Sequence, residues 1–186
     1  MLRLNKISEQ TCHTTMSNSV EKLSKYLKEI VYGGIDGIVT TFAVVAGFTG
    51  ASSSGFLLEK GYVVVLLFGF ANLFADATSM GLGNFLSVRT DQALNRSKNE
   101  NPYLTALITF TSFILFGIIP LLPYIFLQDI QRIFAIAVIF TEEALFLLGI
   151  LRVRVTQEKP LKAMGEIVLL GSISAMVAYF VGTLFT

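Results

Sequence analysis

Charge is what this sequence has least of. Of 186 residues only 15% are Asp, Glu, Lys or Arg, against 53% hydrophobic, whereas a soluble domain runs nearer about 25% charged because its surface must be solvated. The 14 basic and 13 acidic residues leave a formal net charge of +1, which excludes both a strongly basic nucleic-acid binder and a disordered acidic segment. Cysteine occurs once, at Cys12, so neither a disulfide framework nor a zinc site of paired cysteines can be built. The first 30 residues also lack the apolar stretch that a signal peptide needs soon after its positive start. What is plentiful is Phe, with 16 copies, and Gly, with 15, a pairing suited to helices packed in lipid.

The few charges are clumped, and the gaps between clumps have membrane length. A spanning helix needs about 20 mainly apolar residues across about 30 Å of hydrocarbon. Between Glu29 and Glu59 only Asp36 is charged, and between Lys60 and Arg89 only Asp76. These gaps predict spans over Val31–Ser52 and Tyr62–Val88, and similar gaps predict Tyr103–Tyr124, Ile133–Leu151 and Ile167–Phe185. The chain therefore reads as an all-α membrane protein with five transmembrane helices. Residues 31–186 form one transmembrane domain, behind a cytoplasmic arm of residues 1–30.

Lys and Arg orient the bundle. One side carries Arg3, Lys6, Lys22, Lys25 and Lys28 in the arm, Arg89, Arg96 and Lys98 after the second span, and Arg152, Arg154, Lys159 and Lys162 after the fourth; the other carries only Lys60 and Arg132, 12 against 2. The N-terminus is thereby expected in the cytoplasm. Val20, Leu23, Leu27 and Ile30 recur at helical spacing, which suits a short amphipathic helix on the inner membrane face and equally a solvated lead-in to the first span. His13 beside Cys12 lies among threonines and reads as tail rather than as a metal site. Pro120 and Pro123 are expected to end or kink the third helix.

Acids inside hydrocarbon are expensive and mark ion or proton pathways. Asp36, Asp76, Glu142 and Glu143 lie within the spans, and no Lys or Arg accompanies them there. That inventory favours a divalent cation as partner, with protons replacing it when it leaves. In the second span Asn72, Asp76, Met80 and Asn84 recur every fourth residue, which sets a carboxylate, a thioether and two amides along one stripe. Oxygen ligands alone suit Mg²⁺, Ca²⁺ or Mn²⁺; a thioether shifts preference toward softer transition metals. Ala75, Ser79, Gly83 and Ser87 form a neighbouring stripe of small residues, and Gly33 with Gly37 flanks Asp36, so both acids are expected beside closely approaching backbone. Glu142 and Glu143 fit either a proton relay or hydrogen bonds between the fourth and fifth helices. No His lies within a span and no nucleophile–base pair is evident, so an intramembrane enzyme is not supported.

These motifs resemble one family. Tyr32–Gly50, YGGIDGIVTTFAVVAGFTG, is similar to the first-helix signature of the vacuolar iron transporters, and Ala71–Arg89, ANLFADATSMGLGNFLSVR, to their second. NPYLTALITFTSF with PLLPY, and EIVLLGSISAMVAYFVGTLF, extend the resemblance over residues 30–186. It implies export of Fe²⁺, or Mn²⁺, from the cytosol in exchange for protons, with no permanently bound cofactor. It also implies a homodimer whose ion path runs between the first two helices of each subunit. Asp36, Asp76 and Met80 are then the metal residues; Asn72, Asn84, Glu142 and Glu143 are weaker candidates for pathway or proton relay.

Two departures stand out. Asn84 replaces the Glu usual in that motif, and the Glu-rich cytoplasmic insert of longer relatives is reduced to Thr90–Asn101, with only Asp91 and Glu100 as acids. They lend some weight to a non-transporting membrane metal sensor or scaffold on the same fold. The minimal core without a targeting segment favours a bacterial cytoplasmic membrane over a vacuolar one. The expected partners are a second copy, divalent ions, protons and lipid, with no nucleic acid.

Overall fold

In the computed structural model, which describes residues 2–52, 61–95, 100–127, 130–156 and 159–184, every element of regular structure is helical. Side chains are described from Tyr26 onward, except at 52, 95, 130, 131 and 155. The helices are α1 (Leu2–Ser52), α2 (Gly61–Asn95), α3 (Pro102–Gly117), α4 (Leu122–Phe126), α5 (Ile130–Thr156) and α6 (Pro160–Thr183), with a 3₁₀ turn at Ile119–Leu121 between α3 and α4. Five stretches are long and apolar enough to cross a membrane: Tyr26–Ala51, Gly61–Leu94, Pro102–Phe126, Arg132–Arg154 and Pro160–Thr183. The chain is a multi-pass membrane protein by this measure.

The helices outrun the charge gaps that predict them. The backbone of α1 is continuous from Leu2 to Ser52, so residues 20–30 belong to the helix that goes on to span. The side chains of Cys12 and His13 lie outside those described. At about 1.5 Å per residue, the 34 residues of Gly61–Leu94 are longer than a perpendicular crossing of the hydrocarbon requires. The third span breaks at Gly117, just before Pro120, and resumes as α4 with Pro123 in its first turn. Proline lacks the N–H that an uninterrupted helix would need there. Asn101 caps α3, its side chain accepting from the Tyr103 and Leu104 backbone N–H groups, with Pro102 at the first helical position where its missing donor costs nothing.

The bundle is organised around α1, which packs against α2, α3, α5 and α6. Ile38 is fully buried with Ala144, Leu145 and Leu148 of α5 and Ile167 of α6. Phe42, Val45 and Ala46 join Val65 of α2, Leu121, Tyr124 of α4, and Ile133 and Ala137 of α5. On the other flank Leu73 and Ala77 of α2 close on Phe113 of α3. The tightest seams are made by glycine. A Cβ on Gly33 would lie 2.8 Å from the Thr109 carbonyl oxygen, and one on Gly37 would strike that of Phe113. Helices α1 and α3 therefore run parallel, one turn matching one turn. Ile38 meeting Ile167, and Gly47 meeting Gly182 further along, give α6 the same direction as α1.

Candidate metal path along α1 and α2

The stripe on α2 sits at a boundary. Leu73, Ala77, Gly81 and Val88 face the core, while Ala75, Ser79, Gly83, Leu82 and Leu86 are exposed. Asn72, Asp76, Met80 and Asn84 lie between these faces and are all half-buried. Their four-residue spacing keeps them on one line because 3.6 residues complete a turn. A ligand in this line would thus touch protein on one side and whatever covers the exposed face on the other.

Within the line, Asn72 Nδ2 donates to Asp76 Oδ2 at 2.7 Å. A bond of that length to a carboxylate is charge-assisted and fixes orientation as well as position. It leaves Oδ1 of Asp76 to another partner. Asp36 on α1 is half-buried and lies within electrostatic reach of Asp76, so carboxylates from two adjacent helices share one region. One turn along α2, Met80 packs against the buried cluster of Leu73, Ala77 and Phe113, as do Phe110 and Ile114 of α3.

The remaining candidates are placed elsewhere. Asn84 Nδ2 donates to Thr109 Oγ1 at 2.7 Å, and that hydroxyl donates to the Thr105 carbonyl at 2.9 Å, so the Asn84 amide is turned to α3 and serves a helix–helix contact. Glu142 and Glu143 line an open groove of about 430 Å³ with Phe146, Leu147 and Val168, between α5 and α6. Neither hydrogen-bonds across to α6 among the described residues. Ile38, which packs on α5, is two residues and about 200° from Asp36 on α1, so these glutamates stand across α1 from the acid pair.

Glu29 is a polar residue that the sequence pattern did not single out. It is 3% exposed although it follows Lys25 and Lys28, a context that reads as interfacial. The usable signal is register: Glu29, Gly33, Gly37 and Thr41 follow at four-residue steps and are all buried. Among the described residues no three His, Cys, Asp or Glu side chains converge in one chain. The chain thus offers two carboxylates, amides and a thioether along half-buried helix edges.

A sequence model of the VIT family matches residues 27–100 and 91–183. The chain belongs to the VIT family. The two matched pieces overlap over residues 91–100, from the last turns of α2 onward. Among curated VIT relatives, a vacuolar iron transporter of Plasmodium falciparum is 26% identical over 227 aligned positions, covering 84% of this chain and 81% of the relative. Vacuolar iron transporter 1 of Arabidopsis thaliana is 24% identical over 243 positions, covering 95% and 94%. Both alignments are longer than the 186 residues of this chain, so these relatives carry residues this VIT chain lacks. A vacuolar iron transporter of Toxoplasma gondii is 44% identical over 75 residues, which are 40% of this chain and 22% of the relative.

Proposed function

We propose that this VIT-family chain exports a divalent transition metal, Fe²⁺ first and Mn²⁺ as its nearest competitor, from the cytosol in exchange for protons, as a homodimer with a cytoplasmic N-terminus. The observation that carries this reading is the Asp36–Asp76 pair on adjacent half-buried helix edges, with Asn72 holding one carboxylate and Met80 one turn away. Two carboxylates that feel each other's charge are relieved either by a divalent cation or by protons, which couples metal arrival to proton release. The thioether favours a transition metal over Mg²⁺ or Ca²⁺. A two-fold axis along the exposed side of α2 would bring a second set of these groups opposite the first and complete the coordination that one chain lacks. The name of the curated relatives supports iron as cargo.

Proteoliposomes carrying an internal pH reporter test the reading. Fe²⁺ entering down its gradient is expected to alkalinise the lumen in step with metal flux, because protons leave as metal enters whichever way the protein faces; acidification would overturn the exchange. Asp36→Asn and Asp76→Asn should each abolish the coupled signal, and Met80→Ala should reduce Fe²⁺ flux more than Mn²⁺ flux. Unchanged coupling in both Asp variants would remove the pair from the mechanism. The Asn84 amide, tied to Thr109 within the subunit, favours a second reading, a metal sensor or scaffold without transport. Metal binding with no flux in the wild type would decide for it.

A further inference from the structure

Three buried oxygens outside the acid path lack a hydrogen-bond partner among the described residues, those of Glu29, Thr41 and Thr105, and the first and last share one end of the bundle. Glu29 is 3% exposed, and its Oε2 has no hydrogen-bond partner among the described residues. Thr105 is fully buried, and its Oγ1 also lacks one among the described residues. Register brings the two to one level. Gly33 meets Thr109 and Gly37 meets Phe113 along the parallel seam, and one turn earlier on each helix stand Glu29 and Thr105. Glu29 and Asp36 are seven residues apart, hence on the same side of α1 and roughly 10 Å along its axis.

The pairing of Glu29 is lopsided. Lys28 Nζ is 3.5 Å from its Oε1, yet that lysine side chain is 63% exposed. The same ammonium sits nearer to Glu100, at 3.0 Å and 3.3 Å from its two carboxylate oxygens. Glu100 is held in place: Gln92 Nε2 donates to its carbonyl at 2.6 Å, and the next residue is the Asn101 cap of α3. A buried carboxylate is costly unless its charge and both oxygens are met, and a solvent-facing ammonium on one oxygen meets this one poorly. A carboxylate and a hydroxyl, both hard oxygen donors, suit a partly hydrated divalent ion.

We propose that Glu29 and Thr105 form a loading site for a divalent cation at the mouth on the N-terminal side of the bundle, that Lys28 is its resident counter-ion, and that an arriving ion displaces the ammonium wholly onto Glu100. As a loading site it rests on the transport reading; as a binding site it stands on its own. The probe is Mn²⁺, followed by electron paramagnetic resonance on the purified full-length chain in detergent. An Asp36→Asn/Asp76→Asn background isolates the mouth from the central pair.

In that background Glu29→Gln should weaken Mn²⁺ binding about tenfold, the worth of one charge-assisted contact, and Thr105→Val should weaken it less. Glu100→Gln should also weaken it, because Lys28 then has only Glu29 to neutralise it. Lys28→Gln should tighten binding several-fold by removing the competitor; a merely structural Lys28–Glu29 pair predicts no gain. Absent binding in the background, unaltered affinity in Glu29→Gln, or no tightening in Lys28→Gln each overturns the proposal. If Glu29→Gln fails to fold, Lys28→Gln and Glu100→Gln carry the test with opposite signs. Flux separates the two readings. Glu29-dependent binding without wild-type flux removes transport and keeps the site, whereas wild-type flux with Glu29→Gln indistinguishable from wild type removes the site and keeps transport.

Discussion

At the residue scale, the polar groups of this bundle divide into those that hold helices together and those left available. Asn84 and Asn72 look equivalent in sequence, each four residues from a neighbour on the same stripe. The structure separates them by partner: Asn84 bonds to Thr109 of another helix, Asn72 to Asp76 of its own. Interhelical hydrogen bonds in membrane proteins average about 0.6 kcal/mol and reach about 1.7 kcal/mol. Asn84→Ala and Thr109→Val are therefore each expected to cost about 1 kcal/mol in reversible unfolding followed by helical circular dichroism. The double variant should cost no more than the worse single one, since both remove the same bond; additive losses would show that the contact contributes nothing. Asn72→Ala should leave stability nearly unchanged and raise the KM for metal several-fold, because Asp76 loses the donor that orients it. That Asp36, Asp76, Glu142 and Glu143 fall within long apolar helices was legible from the charge gaps. What each polar group bonds to was not, because spacing gives the face of a helix but not the helix opposite. Glu29 was illegible for a different reason: a charge among charges reads as solvated, and only the packing of α3 beside it reveals burial.

At the element scale, five spans were legible because hydrocarbon excludes charge, and so the gaps between charges report its thickness. Helix ends were not, because backbone hydrogen bonding continues through the interface where charged side chains are tolerated. Helix α6 begins at Pro160, seven residues before its expected start, and α1 continues unbroken through the expected arm. The glycine pair of α1 announced a close approach, and the approach is real, but its partner is α3 of the same chain. This gives a contrast between two glycines in helix interiors. Gly37→Ala would drive a Cβ into the Phe113 backbone carbonyl, which cannot rotate aside, and overpacking of this kind costs about 1–3 kcal/mol. Gly165 is exposed on α6 with nothing within 4 Å of an added Cβ, so Gly165→Ala should be neutral or gain up to about 1 kcal/mol of helix propensity. Thermal unfolding in one detergent compares the two directly. Equal effects would mean that the α1–α3 seam is not a tight contact.

At the scale of the whole molecule, the uncovered surface matters most. Along α2, Ala75, Ser79, Gly83 and Ser87 are all exposed, and an added Cβ at Gly83 meets nothing within 4 Å. Small residues on a lipid-facing helix forgo dispersion contacts with acyl chains unless another backbone comes close. The stripe also adjoins the half-buried line of Asn72, Asp76, Met80 and Asn84, so covering one would enclose the other. If two copies meet here about a two-fold axis, each stripe residue faces its own counterpart. The single native cysteine makes the test clean. In a Cys12→Ser background, Ser79→Cys or Gly83→Cys should give a disulfide-linked dimer on mild oxidation in native membranes, whereas Gly165→Cys on α6 should stay monomeric on a non-reducing gel. Cross-linking at 165 with none at 79 or 83 would move the two-fold axis away from α2, and the Asp36–Asp76 pair would then have to bind metal without help from a second subunit. Cys12 in the wild type reports the orientation of that dimer. On the proposed topology, in which the side with 12 basic residues against 2 faces the cytoplasm, it should resist an impermeant maleimide in intact cells and react once they are opened.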